Sequence, residues 1–322
     1  MIIPIITIHL YSMEQKSFKT LPFKTIGEAT EEAVSYIEKR KNHEIDSLCT
    51  RWPKFNNLCM GGIEPNAIYT ISGISGGGKS SFVNTLETDL IDLNPDREIV
   101  VLSFNFEMIA SRQVGRKLSY KLKETTSTLY SAVNSVDDQT LKKVKAEAEK
   151  IKKYPVYYID TPATVEKIGE TIEYFYNIVA KGKWLVIILD HTLLVNGEGK
   201  DERSTVIDLQ KLFMQVKKKP NVSIIQISQM NRNIEQPERI TNPASHYPMR
   251  SDLSTSDFIY QSSDYIIILH RPELLGITEY GPFRQPVKDV VYLHLIKNRE
   301  GELKILKFIN ELKYNNLIEP EE

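Results

Sequence analysis

Three groups of residues in this chain have types and spacings that could do phosphate chemistry. The first is GISGGGKS, residues 73–80, a G-x-x-x-x-G-K-[ST] pattern. Gly73, Gly76, Gly77 and Gly78 let backbone N–H groups turn inward around phosphate oxygens, and a helix opening at the end of the pattern adds its positive dipole end. In such a loop Lys79 reaches the β- and γ-phosphates of a nucleotide such as ATP, the Ser80 hydroxyl joins a Mg2+ shell, and Ser75 and Ser81 line the cradle. The second group is WLVIILDH, residues 184–191, an apolar run ending in Asp190. It describes a buried strand that delivers one carboxylate to its tip, where it would hold Mg2+ through water. The other reading of Asp190 is a strand-end residue capping a turn. The third is Glu107, at the end of the apolar run in VVLSFNFEMIASR, residues 100–112. A carboxylate there is either a helix cap or solvated edge, or a base that orients water.

His191 bears on that choice. Many P-loop NTPases place a catalytic glutamate directly after the second acid, and here the position is a histidine. The role of water-activating acid then falls to Glu107.

Such residues need a sheet to bring them together. The 322 residues, 41% hydrophobic and 26% charged, allow one large α/β domain with additions or two small domains. From about residue 46, apolar runs alternate with helical patterns, as in a mainly parallel sheet. AIYTIS leads into the glycine-rich turn and a helix, and EIVVLSF, VYYID, KWLVIILD and VSIIQIS follow with helices between them. DYIIILH, DVVYLHLIK and LKILKF come without long helices between them, so antiparallel pairing is expected there. Two polar stretches, residues 196–204 and 231–257, read as long irregular loops, which in a compact domain are more often functional than structural. The chain shows no internal repeat.

Ahead of this region stands TIGEATEEAVSYIEKRKN, residues 25–42, with Thr25 and Glu28 at capping-box spacing and Ile26, Ala29, Ala33, Tyr36 and Ile37 near one helical face. It reads as a short amphipathic helix that covers its own domain or docks on a neighbouring subunit. The opening MIIPIITIHLYS reads as a strand, since it lacks the basic region and cleavage site of a signal peptide. No run approaches the roughly twenty apolar residues of a membrane span. A net charge of -1 supplies no global basic field for nucleic acid, and two cysteines make no metal set, which suits a reducing cytoplasm. The acidic residues at the C-terminus read as a frayed tail.

With these residues in place, the chain resembles the ATPase domain of DnaB-type replicative helicases, including short phage ring helicases, over roughly residues 46–309. SFNFEM is similar to that family's strand-end F-S-x-E-M, and YIDTPATVEKI to its D-T-P-x-x-T/S-V. IILDH, ISQMNR and IKNREG resemble its second acidic motif, its S-Q-L-N-R and its K-x-R-x-G. MRSDLSTSDFIYQSSDYIIIL resembles its S-D-L-R-x-S-G-x-I-E-Q-D-A-D stretch. The resemblance implies a RecA-like P-loop NTPase fold: a mainly parallel sheet, antiparallel strands at the C-terminal end, and an N-terminal linker helix. It implies that Gln229 senses the γ-phosphate, and that Lys297 and Arg299 act in trans on the nucleotide of the next subunit, which requires a ring, expected to be a hexamer. Channel loops in this family track single-stranded DNA, so Lys200, Arg203, Arg232, Arg239 and Arg250 become candidates for phosphate contact; each alone could equally be a solvated cation. A primase or a loader is an implied partner, and the cytoplasm, of a bacterial host if phage-encoded, the implied compartment.

The chain departs from the pattern at Ser254, where the family has Arg, and at Ser256-Asp257, where it has S-G, while Gln261 and Asp264 keep Q-x-x-D. About fifty residues precede the ATPase region, too few for the family's helical N-terminal domain. The expected division is residues 1–45 as strand and linker helix, 46–312 as ATPase domain and 313–322 as acidic tail. A RecA-type recombinase or mediator, and a nucleotide-gated loading factor with little turnover, are the competing readings.

Overall fold

The computed structural model describes residues 22–254 and 256–321. The apolar opening read as a strand lies outside the described residues. The chain divides into two units, Met1–Asp46 and Ser47–Glu322. No helix of the described residues is long and apolar enough to cross a membrane.

In the first unit, α1 (Ile26–Lys41) starts where the capping box sets it. The Glu28 amide donates to the Thr25 hydroxyl at 3.2 Å, and the Glu28 carboxylate accepts from the Thr25 amide at 2.7 Å. Lys39, Arg40 and Lys41 stand in the last turn, where the dipole favours cations. None of its residues is buried, and Ile26 and Ile37 are 85% and 65% exposed.

The second unit is built on one nine-stranded sheet in the order β3-β2-β4-β5-β1-β6-β7-β8-β9. The strands are β1 (Ile68–Ser72), β2 (Ile99–Asn105), β3 (Val156–Ile159), β4 (Trp184–Asp190), β5 (Val222–Ile227), β6 (Tyr265–His270), β7 (Val290–Asn298), β8 (Lys304–Glu311) and β9 (Asn316–Ile318). The pairs among the first six in that order are parallel, and β6 through β9 pair antiparallel. β2, β4 and β5 are buried along their whole length, as near-continuous apolar strands covered on both faces must be. One face packs under α2 (Pro53–Leu58) and α3 (Lys79–Asp92), with the Trp52 and Phe82 rings stacked 4.4 Å apart. The other packs under α7 (Val165–Tyr174) and α8 (Glu202–Val216) through Ile168, Ile172, Leu209 and Phe213. α4 (Ala110–Leu122), α5 (Thr126–Tyr130) and α6 (Asp138–Ile151) link β2 to β3.

Two expectations change. The 231–257 stretch is not irregular: it folds into short helical turns at Arg232–Glu235, Pro243–Ser245 and Arg250–Asp252, α9 (Pro237–Thr241) and the start of α10 (Ser256–Ser262). The acidic C-terminus is held at Glu319. Residues 316–318 form β9 on the edge of β8, and the Glu319 carboxylate accepts from the Lys54 and Phe55 amides at the start of α2, a favourable place for an anion.

Candidate active site

The sheet order explains how distant residues meet. β2, β4, β5 and β1 are consecutive neighbours and run parallel, so their C-terminal ends stand side by side. Glu107 follows β2, Asp190 ends β4, Gln229 follows β5, and the glycine-rich loop follows β1. Ligands in open α/β sheets bind at such strand ends. The result is a cleft of about 280 Å³ lined by Ser75, Gly76, Gly78, Lys79, Ser80, Ser81, Glu107, His191 and Gln229, together with Arg116, Arg271 and Leu312. A larger hollow of about 630 Å³ between α2 and β8 contains none of these phosphate-binding groups.

The loop needs its glycines: at Gly73 a Cβ would lie 2.5 Å from the Leu269 carbonyl oxygen. Gly78 has φ of 99°, and a Cβ there would lie 2.9 Å from a Leu312 methyl. Gly77 would press a Cβ to 3.0 Å from the Ile74 carbonyl. Lys79 folds back over the loop and donates to the carbonyls of Gly73 at 2.8 Å and Ile74 at 3.0 Å. Its ammonium therefore sits at the loop backbone that would surround a phosphate, with a third N–H left for a phosphate oxygen.

The electrostatics mark the cleft as a place where charges compete. Asp190 is 4% exposed, and burial, with the charge of Glu107 next, raises its carboxyl to about 6. The Ser80 hydroxyl, Arg116 and Lys79 pull the other way. Burial lowers Lys79 and Arg116, and both carboxylates oppose this. His191 falls to about 4 through burial and the nearby Lys79, so its ring is neutral. Its Nδ1 accepts from the Leu193 amide at 3.2 Å, which leaves the proton on Nε2. His191 is thus a neutral donor beside the cleft, without the carboxylate chemistry of a water-activating residue. Asp190 Oδ1 is buried with no hydrogen-bond partner among the described residues, and the Ser80 hydroxyl is bonded to the same carboxylate. An orphaned carboxylate oxygen beside a hydroxyl fits the donor set of Mg2+.

Two cleft residues escaped the sequence reading. Arg116 lies on α4, with Nη1 buried and unpartnered among the described residues and both acids within its field. Its signal was a stripe of long polar residues, Gln113, Arg116 and Lys117, at helical spacing on one face of α4. Arg271, just past β6, donates from Nη1 to the Gly76 carbonyl at 3.1 Å and from Nη2 to Glu273 at 2.7 Å, tying the loop to the next strand.

Lys297 and Arg299 are elsewhere. Lys297 pairs across the sheet with Ile266, near the start of β6, whereas the phosphate loop lies beyond the other end of the parallel strands. Within one chain they stand at the far end of the sheet from Lys79. There the Lys297 ammonium donates to the carbonyls of Tyr260 and Gln261, and Arg299 pairs with Asp264 at 3.0 Å. Burial, then Arg299, pushes Lys297 down to about 8.

The loop cations divide. Arg239 is withdrawn from the DNA candidates: it forms a buried pair with the fully buried Asp252 and donates to the carbonyls of Ser245 at 2.9 Å and Tyr247 at 2.8 Å, so its fork is spent on the fold. Arg232 is exposed. Arg203 stands in the first turn of α8, not in a loop, over the Phe258 ring at 5.7 Å. Lys200 is held by Asp208 at 2.6 Å, and Arg250 by Asp257 at 2.9 Å, both in exposed pairs of little intrinsic worth.

Residues 47–318 match the family described as DnaB-like helicase C terminal domain. The chain belongs to that family. A replicative DNA helicase DnaB of Rickettsia conorii is 22% identical over 296 residues, which is 88% of this chain and 57% of that protein. Another, of Mycobacterium intracellulare, is 28% identical over 213 residues, 65% of this chain and 34% of that protein. The chain thus spans about half the length, or less, of these curated relatives. A solved ATPase domain superposes with TM-score 0.77 at 17% identity, covering 93% of this chain and 100% of its own. A DnaB-like replicative helicase, solved with a view to its interactions with primase, gives 0.76 at 17% identity over 93% of this chain and 68% of its own. The fold is therefore the RecA-like fold of the solved DnaB-like ATPase domains.

Proposed function

We propose that this DnaB-family domain is the motor of a ring helicase that moves along single-stranded DNA, hydrolysing NTP at the contact between adjacent subunits. One observation carries the reading: Glu107, Asp190 and Gln229 gather around Lys79 in one cleft, while Lys297 and Arg299 stand at the opposite end of the same sheet. For Lys297 and Arg299 to reach a nucleotide, a second copy must present them, and a ring of six supplies each site with a neighbour.

In this reading Lys79 and the loop amides hold the β- and γ-phosphates, and Ser80 and Asp190 hold Mg2+, which neutralises phosphate charge when bound. Glu107, exposed at the cleft, orients the attacking water and takes its proton. Gln229 stands where it can report the γ-phosphate. Arg116 supplies a cation from the same chain, and Lys297 and Arg299 supply cations from the next, at the oxygens where charge builds. α1, with Ile26 and Ile37 exposed, is the subunit contact, with residues 1–45 acting as linker, 46–312 as motor and 313–322 as the C-terminal segment. Lys200, Arg203, Arg232 and Arg250 offer cations to DNA phosphates, and a primase or loader is the further partner.

The test is NTP turnover with and without single-stranded DNA, followed by unwinding of a forked duplex and electron microscopy with a non-hydrolysable nucleotide. DNA-stimulated turnover, strand separation and closed rings are expected. Helical filaments would instead indicate a recombinase, and turnover indifferent to DNA a loading factor.

A further inference from the structure

Tyr260, on α10, has no role in the cleft, yet two candidate cations of different function meet on its ring. The Arg250 guanidinium stands 4.2 Å from the ring centroid and the Lys297 ammonium 4.8 Å from it. Both are within the range at which an aromatic quadrupole attracts a cation. The same residue is joined to Lys297 a second way, since that ammonium donates to the Tyr260 carbonyl. The neighbouring Gln261 carbonyl takes Lys297 at 3.4 Å and Arg299 Nη2 at 2.8 Å. The C-terminal carbonyls of α10 therefore hold both far-end cations.

The ring also packs into a small apolar cluster with Leu253, Met230 and Ile296. Met230 and Leu253 form an isolated bridge, and the Ser254 amide donates to the Gln229 carbonyl at 3.0 Å. Gln229 lines the nucleotide cleft. A continuous set of contacts thus runs from the cleft, through the 249–254 turn that carries Arg250, to the strand that carries Lys297, and Tyr260 is where the branches join. The family pattern quoted above has Glu at this position. Here a ring attracts Arg250 and Lys297 without a charge of its own, so its hold is divided between two mutually repelling partners.

We propose that Tyr260 is a positioning residue that makes the placement of Lys297 depend on what Arg250 binds. This rests on the ring-helicase reading. With no DNA, Arg250 and Lys297 share one ring. A DNA phosphate that pairs with Arg250 draws the guanidinium off the ring, removes a positive neighbour from Lys297, and changes how the ring and the α10 carbonyls hold that ammonium for the next subunit's nucleotide.

The experiment uses the full chain, Tyr260→Leu and Tyr260→Phe, with an oligo-dT strand as the DNA. Turnover with and without oligo-dT gives a stimulation ratio, and anisotropy titrations give the oligo-dT and nucleotide Kd. Tyr260→Leu should cut the stimulation ratio about fivefold or more with both Kd values unchanged, as loss of a coupling rather than of a site. Tyr260→Phe keeps the ring and should restore the wild-type ratio. A Leu variant stimulated like wild type, a Phe variant as defective as Leu, or a ratio that falls only together with DNA affinity would overturn the proposal. Wild-type turnover that ignores oligo-dT would instead sink the helicase reading, and the relay with it.

Discussion

Lys117 and Glu87 make a strong stability prediction because both are nearly out of reach of water. Their side chains are 1% and 4% exposed and meet at 2.9 Å, joining α4 to α3. Removing one partner from such a pair costs roughly 3–5 kcal/mol, because the survivor is left charged and dry. The environment decides where in that range each change falls. Without Lys117, Glu87 still accepts from the Ser103 hydroxyl at 3.3 Å and from the Tyr158 hydroxyl, so Lys117→Met belongs near the lower end, about 3 kcal/mol. Without the negative charge, Lys117 keeps an amide oxygen and long contacts to the Asn84 carbonyl and the Thr88 hydroxyl, both at 3.3 Å, none of which neutralises the buried ammonium, so Glu87→Gln belongs nearer about 4 kcal/mol. The double variant buries no charge, and its cost should fall short of the summed singles by about 2 kcal/mol. Urea unfolding at one fixed protein concentration measures all three differences. Singles that unfold like wild type, or a double variant additive within about 0.5 kcal/mol, would refute the claim that the pair is buried and coupled.

Further outcomes follow from particular atoms. Gly78→Ala forces a side chain into positive φ beside Leu312, which costs roughly 1–2 kcal/mol and re-aims the loop amides; a fluorescent-nucleotide titration should show affinity reduced about tenfold or more. Arg116→Ala should lower turnover about a hundredfold while leaving the nucleotide Kd near wild type, as loss of transition-state charge stabilisation does, in steady-state and binding assays run side by side. His270 is fully buried, neither ring nitrogen has a hydrogen-bond partner among the described residues, and burial lowers it from 6.5 to about 3. The unfolded chain therefore binds this proton first, so the contribution is present above pH 6.5 and is lost as pH falls toward 3. At pH 5 the loss is about 2 kcal/mol, and His270→Phe should remove that share of the acid destabilisation in urea melts at pH 7 and pH 5.

The members of the cleft could be picked out of the sequence wherever one residue type in one local context suffices. A glycine-rich turn before a lysine, and an acid ending an apolar run, are local signals that need no knowledge of the fold. That Glu107, Asp190 and Gln229 would meet depended on β2, β4, β5 and β1 being neighbours, an order that alternating strands and helices alone do not specify. Arg116 was illegible because long polar residues at helical spacing describe a solvated face as well as a cleft wall. Arg239 misled for the opposite reason: it stands in a polar stretch, but Asp252, thirteen residues on, folds back to bury its charge. The C-terminal acids misled similarly, since a glutamate that caps a helix more than 260 residues earlier, as Glu319 does for Lys54, leaves no local trace. β9 has three residues, too few for an alternating pattern to register.

The account depends most on Glu107 as the group that activates water. Glu107→Gln keeps the size of the side chain and its hydrogen-bonding reach but removes the base. Single-turnover hydrolysis in the presence of single-stranded DNA, with nucleotide affinity measured on the same sample, should show binding retained and the chemical step slowed about a hundredfold or more. Hydrolysis at the wild-type rate would contradict it.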